Sequence, residues 1–201
     1  MIASVAATAA LAAGLIGYAH LTRVTTPPPG PPQPPPSASA LPARVKAAAA
    51  LPASRPVRLE IPKIGVRTPL MTLGKNPDQT IEVPPLTRAD TAGWYRLGPT
   101  PGSRGAAVIV GHVDTTTGPA VFYRLGRLRA GDKVRVFRRD GRPAIFVIDA
   151  VESVRKDRFP TAKVYADPGY PAIRLITCGG AFDANSGHYE RNIIAYGHLT
   201  R

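Results

Sequence analysis

From residue 57 onward the apolar positions come in short runs of four to eight residues. They are rich in Val, Ile and Thr and are closed off by Gly, Pro or Asp. That pattern predicts strands, here over 57–61, 65–70, 80–83, 106–110, 133–137, 145–151, 172–177 and 192–198. Asp140-Gly141 stands between two of these runs, and Asp-Gly suits a tight hairpin turn. Gly131-Asp132 marks a second turn ahead of a strand. Helical periodicity is scarce: 120–128 predicts one short helix, with Val121, Leu125 and Leu128 on one side. Eight or so short strands at fairly regular spacing predict an all-β unit, a small barrel or a sandwich. No repeat period, P-loop or dinucleotide-binding glycine pattern interrupts it.

Before residue 57 the pattern changes. Residues 2–19 carry no charged side chain and are mostly Ala, Leu, Ile, Val and Gly. A run of that length is within the roughly 17–25 residues of a spanning helix, so residues 1–22 are expected to form a membrane anchor or a signal-like segment. The first basic residue is Arg23, after the run, whereas a cleaved signal opens on positive charge. Residues 27–36 hold eight prolines in ten. Such a run favours polyproline II and behaves as a semi-rigid spacer, a stalk in preference to a ligand for a PxxP-binding domain. Residues 23–56 therefore read as a Pro/Ala-rich linker, with a short helix over 44–51, and residues 57–201 as the folded domain.

Composition narrows the chemistry. One Cys in 201 residues excludes an intrachain disulfide and a multi-thiolate zinc site. Hydrophobic residues at 44% suffice for a core, and charged residues at 19% are too few for a charge-driven disordered chain. The net charge of +13 first suggests nucleic acid. Yet the basic residues are scattered from Arg23 to Arg201, aromatics are 6%, and no nucleic-acid motif is present. No nucleic-acid partner, metal or cofactor is expected. The charge reads as a solvated, Arg-rich surface.

Three residues carry candidate chemistry. Cys178 ends the apolar run Ile173-Arg174-Leu175-Ile176-Thr177 and is followed by Gly179-Gly180. A buried inert thiol is the rival reading, but a glycine-rich loop at a strand end lets a substrate backbone approach a nucleophile. A nucleophilic Cys needs a neighbouring acid/base group. His112, in Val110-Gly111-His112-Val113-Asp114 at the exit of another apolar run, supplies one, with His188 as rival and His198 weaker. Arg191 is the only Arg between Cys178 and Arg201 and opens the last strand. It reads either as a solvated surface charge or as a donor for the oxyanion formed when a thiolate attacks an amide.

Together these motifs resemble the sortases, the cysteine transpeptidases that attach proteins to Gram-positive cell walls. The family's Thr-Leu-x-Thr-Cys reads Arg174-Leu175-Ile176-Thr177-Cys178 here, with Arg174 departing from the pattern. Gly111-His112 matches the family's His motif, and Arg191 matches the Arg about a dozen residues after the Cys. Cys178 to Asp183, Gly187-His188-Tyr189 and the stretch from Gly111 to Phe122 resemble the actinobacterial class F members. Ile61-Pro62-Lys63-Ile64 resembles the family's first-strand motif.

The resemblance implies a closed eight-stranded β-barrel with short helices and an enzyme anchored N-terminally on the outer face of the membrane. It implies that Cys178 attacks a sorting-signal peptide of the Leu-Pro-x-Thr-Gly kind. The thioacyl intermediate then passes to an amine acceptor of the cell wall, or to water. His112 would serve as acid and base, and Arg191 would hold the oxyanion. Thr177 and His188 are implied to lie on the substrate side. Trp94, in Gly93-Trp94-Tyr95, is a candidate groove aromatic, with core packing as its rival. An L,D-transpeptidase would set a His two residues before the Cys, where Ile176 stands. A non-catalytic, membrane-tethered cell-wall binding module is the other alternative, and it would be indifferent to Cys178.

Overall fold

The computed structural model describes residues 30–35 and 45–200. The anchor expected over 1–22 and parts of the proline run lie outside the described residues. Among those described, no helix is long and apolar enough to cross a membrane.

Among the described residues ten strands form: β1 (Pro56–Ile61), β2 (Val66–Leu73), β3 (Ala92–Tyr95), β4 (Gly105–Val110), β5 (Asp114–Thr115), β6 (Gly118–Pro119), β7 (Lys133–Arg138), β8 (Ala144–Arg155), β9 (Pro171–Asp183) and β10 (His188–Leu199). Eight of them close into a barrel in the order β1-β2-β3-β4-β9-β10-β8-β7, and β5 pairs with β6 beside it. The pairs β2–β3 and β4–β9 are parallel, and the other barrel pairs are antiparallel. The expected all-β fold and closed eight-stranded barrel are observed.

Inward residues alternate along each strand, as the pleat requires. Leu59, Ile61, Ile109, Phe146, Leu175 and Ile193 fill the interior, and Phe122, Leu125 and Leu128 close it from the loop after β6. The outward side of β4, β9 and β10 is covered as well. Val108, Ile176, Ile194 and Tyr196 pack there with Val164 of α1 (Thr161–Tyr165). This is why β9 reads as an unbroken apolar run: it is buried on both faces, as strands in parallel pairs tend to be.

Local departures from the expected pattern have plain causes. Residues 80–83 do not form a strand and keep only an isolated bridge, Lys75 to Ile81. The expected helix over 120–128 shrinks to a 3-10 turn, Leu125–Arg127. Its apolar side chains are core plugs rather than one stripe of a continuous helix. Residues 45–50 show no helix and instead lie against the barrel. Ala48 N–H donates to Leu199 O at 2.8 Å, and Leu51 N–H to Gly102 O at 2.8 Å. Ala48 and Leu51 pack on the core, so the folded region extends back before residue 57. The Asp140-Gly141 turn forms as expected, with Gly141 at φ +76°.

Candidate active site

The parallel register of β4 and β9 pairs Val110 with Ile176. β4 ends at Val110, two residues before His112, and β9 runs on through Cys178 to Asp183. Two hydrogen bonds extend the ladder: Gly111 N–H donates to Ile176 O at 3.2 Å, and Thr177 Oγ1 donates to Gly111 O at 2.8 Å. On the other side of β9, antiparallel β10 pairs Asn192 with Cys178 and Arg191 with Gly179. The fold therefore brings His112, Cys178 and Arg191 to one edge of the barrel, on three neighbouring strands.

Cys178 is partly buried. Burial pushes its thiol pKa up, the Lys156 ammonium opposes that rise, and the Asp114 carboxylate adds to it. Asp114 is fixed by the Tyr189 hydroxyl, which donates to its carboxylate. Burial and that carboxylate together hold the Tyr189 phenol well above its ordinary range. The thiol thus feels the charges of Lys156 and Asp114, and its strand is bonded to the turn that carries His112.

His112 Nε2 lies 2.6 Å from Pro84 O. A carbonyl only accepts, so Nε2 carries the hydrogen, and in the neutral ring Nδ1 is the basic nitrogen. Arg191 is turned toward β8: Nε donates to Ser153 Oγ at 2.8 Å and Nη2 to Ser153 O at 2.6 Å. A guanidinium offers five N–H groups, so these two bonds orient the fork without exhausting it. Gly180 allows the Arg191 stem to lie across it. Its φ of +82° suits glycine, and a Cβ there would fall 2.6 Å from Arg191 Cγ.

The other expected site residues fare differently. Thr177 is buried at 4% exposure, and its hydroxyl ties β9 to the turn that carries His112. Trp94 is a correction: it is 6% exposed within the core cluster, with Nε1 donating to Pro99 O at 3.1 Å. Its ring fills the barrel and does not line a groove. His188 is exposed at the start of β10 and lines a cleft with Asp183, Asp157, Lys156 and Tyr189. His198 lies far down β10, where its Nδ1 pairs with Asp149 at 2.7 Å.

Sequence reading missed Ser153, Lys156 and the Asp114–Tyr189 pair. Asp114 had a signal, its place two residues after His112. Ser153 had none, since a lone Ser within a strand is unremarkable until register sets it beside Arg191. Among the described residues, no group of three or more His, Cys, Asp or Glu side chains is gathered as a metal site would need.

The sortase-domain family model matches residues 59–200. The chain belongs to the sortase family. Solved sortases share its fold. Sortase C-1 from Actinomyces oris superposes with a TM-score of 0.57 at 21% identity, covering 73% of this chain and 75% of that one. Sortase C1 from Streptococcus agalactiae gives 0.56 at 18% identity, covering 72% and 67%. A lid mutant of sortase A from Corynebacterium diphtheriae gives 0.55 at 18% identity, covering 80% and 74%. Comparison with curated protein sequences finds no match. Sortases are cysteine transpeptidases, and Cys178 is the one cysteine this sortase has.

Proposed function

We propose that this sortase cleaves a sorting-signal peptide at Cys178, with His112 as acid and base and Arg191 as the oxyanion donor. The observation that supports these roles is the register that sets Arg191 of β10 opposite Gly179, next to Cys178 in β9, with His112 two residues beyond the end of the neighbouring β4. The Cys178 sulfur, as thiolate, attacks the carbonyl carbon after Thr in a Leu-Pro-x-Thr-Gly-like sequence. The carbonyl π electrons move to oxygen, and the guanidinium of Arg191 faces that charge. Collapse of the intermediate expels the amine of the leaving segment, which takes a proton from His112. A thioester remains on Cys178. An amine of the cell wall, or water, then gives its proton to His112 and attacks the thioester, and the C–S bond breaks to release Cys178 as the thiolate.

Burial of Cys178 makes the neutral thiol its resting form near neutral pH, since a group pushed up in pKa ionises later. Ionisation therefore accompanies substrate binding or depends on a minor thiolate–imidazolium pair. Arg191 suits its role because its fork is already oriented by Ser153. The class F resemblance, through Cys178 to Asp183 and Gly187 to Tyr189, supports an actinobacterial, Gram-positive setting. The apolar residues 2–19 support an anchor that holds the enzyme on the outer face of the membrane. Recovery of the chain in the soluble fraction after cell lysis would contradict that anchor.

The test is cleavage of a quenched Leu-Pro-x-Thr-Gly peptide by the full chain. Cys178→Ala is expected to abolish both cleavage and transfer to an added amine. Retention of either in that variant overturns the assignment.

A further inference from the structure

The fold gathers charge that the sequence scatters. Residues 57–73 and 124–139 hold ten Lys and Arg against two acids, Glu60 and Asp132. Residues 144–199, which build β8, β9 and β10, hold six of each sign. The basic segments meet because β1 pairs with β2 on one side and with β7 on the other. On the outer wall of these three strands Glu60 stands opposite both Arg67 and Arg135. Arg58 and Arg67 each reach the Glu60 carboxylate at 3.5 Å, so the one acid on this wall is already neutralised. Asp132 accepts from the Arg129 backbone N–H at 2.8 Å. Lys63, Arg127, Lys133 and Arg135 are exposed, and among the described residues none of the four has a carboxylate within ion-pair distance.

Three observations say what this wall meets. Its unpaired cations lie at one end of the barrel: Lys63 is in the 3-10 turn Pro62–Ile64 after β1, and the pairing of Arg135 with Glu60 carries Lys133 level with that turn. The chain from the apolar run arrives at the same end, where a Cβ on Gly126 would strike Pro32 O and Gln33 Oε1 accepts from Ser153 Oγ at 3.2 Å. Residues 20–32 span at most about 45 Å when fully extended, so this end stays close to the apolar residues 2–19. The third observation is the place of the thiol. β9 stands four places from β1 in the closed order of eight strands, and so forms the opposite wall. The pleat puts Cys178 on the outer side of β9, the side of Ile176. We infer that the outer wall of β1 and β7, with the basic turns at its end, docks on anionic phospholipid headgroups and holds the barrel with Cys178 turned away from the membrane. Basic side chains without internal partners keep their full attraction for headgroup phosphates. The short tether holds them at a high effective concentration of lipid. The inference rests on the anchor proposed above, which supplies the membrane, and not on the catalytic roles.

The test uses the full chain in lipid nanodiscs of phosphatidylcholine, alone or with a third phosphatidylglycerol. Amines are acetylated by a brief pulse of a water-soluble N-hydroxysuccinimide ester and mapped by mass spectrometry. In the anionic discs Lys63 and Lys133 are expected to react about fivefold more slowly, while Lys156, on the Cys178 side, stays within about twofold. Raising NaCl to about 0.5 M is expected to remove the protection by screening. Arg127→Glu with Arg135→Glu is expected to abolish it, and Arg127→Gln with Arg135→Gln to weaken it. Equal rates in the two kinds of disc overturn the inference. So does equal protection of Lys156, or full protection in both double variants.

A chain that does not enter the discs contradicts the anchor. The face is then read on sedimentable vesicles of the same two compositions. Recovery in the pellet only with phosphatidylglycerol upholds the docking face, and equal recovery with both, including none, overturns it.

Discussion

Arg174 and Arg191 lie on adjacent strands and meet opposite fates. Arg174 is 5% exposed on the outer side of β9. Its guanidinium stacks 4.9 Å from the Tyr196 ring centroid, Nε donates to Lys163 O, and Nη1 donates to Ile173 O. Burial pulls its pKa down. Around it Tyr196 donates to Glu152, which also pairs with Lys163 at 2.8 Å. Arg191 is only partly buried, stands where β9 and β10 change register, and is held through Ser153 alone. The first arginine is enclosed by partners of the outer layer and serves structure. The second lies near the start of β10 with donors left over after its two bonds to Ser153, as the oxyanion role proposed for it requires. Position along the strand decides which role the same side chain takes. It also explains how this chain tolerates Arg174 where the family pattern has Thr. The side chain is taken up by the outer layer, against Tyr196 and the Lys163 carbonyl.

The largest effect expected is on the nucleophile. Cys178→Ala lowers kcat/KM for a sorting peptide by about 10³-fold or more, as loss of a covalent nucleophile does. The next test goes to the two arginines. Arg191→Lys keeps the charge but loses the planar fork, and kcat falls by about 10²-fold. Arg174→Met leaves two carbonyls without their donor and lowers unfolding stability by about 1–3 kcal/mol. Its effect on kcat stays within a few-fold. Denaturant melts and steady-state kinetics on both variants read this directly. A stable but inactive Arg174→Met, or an active Arg191→Lys, would break the contrast.

Thr177→Val removes the bond from β9 to Gly111. It is expected to cost about 1 kcal/mol of stability and to lower kcat more than it raises KM, because it loosens the His112 turn.

The smallest effects concern the thiol's surroundings. With its pKa raised, Cys178 gains thiolate as pH rises, so its alkylation by iodoacetamide should accelerate with pH to a midpoint above that of an ordinary cysteine. Asp114→Asn removes a negative neighbour and moves that midpoint down. Lys156→Ala removes a positive one and moves it up. Opposite shifts would show that other groups set the thiol's ionisation.

The barrel was legible wherever a strand was a run of β-branched residues, as in β1, β4, β7, β9 and β10. It was illegible where packing decided. β3 is four residues with a glycine in the middle, and α1 is five residues with no cap of its own. Residues 80–83 carry strand-like side chains yet find almost no partner. In the site, His112 follows the apolar run of β4 and Cys178 closes the apolar run of β9, but the glycine-rich loop expected after Cys178 is strand: β9 continues through Gly179 and Gly180 to Asp183, and Arg191 lies within β10. Trp94 misled because a strand aromatic near the site reads the same whether it faces inward or outward. Thr177 was picked out for its place beside Cys178, but inward alternation buries it. Ser153 and Gln33 depend on contacts that join residues 120 positions apart. No local pattern carries such information.

The central claim is that one thiol forms a covalent bond with the donor peptide. The direct measurement is mass spectrometry of the full chain, acid-quenched during turnover of a Leu-Pro-x-Thr-Gly peptide without added amine, then digested. The account predicts an acyl adduct on the fragment containing Cys178. The adduct should vanish when an amine acceptor is supplied and be absent in Cys178→Ala. Peptide cleavage that proceeds in Cys178→Ala, or an adduct on any other residue, would contradict it.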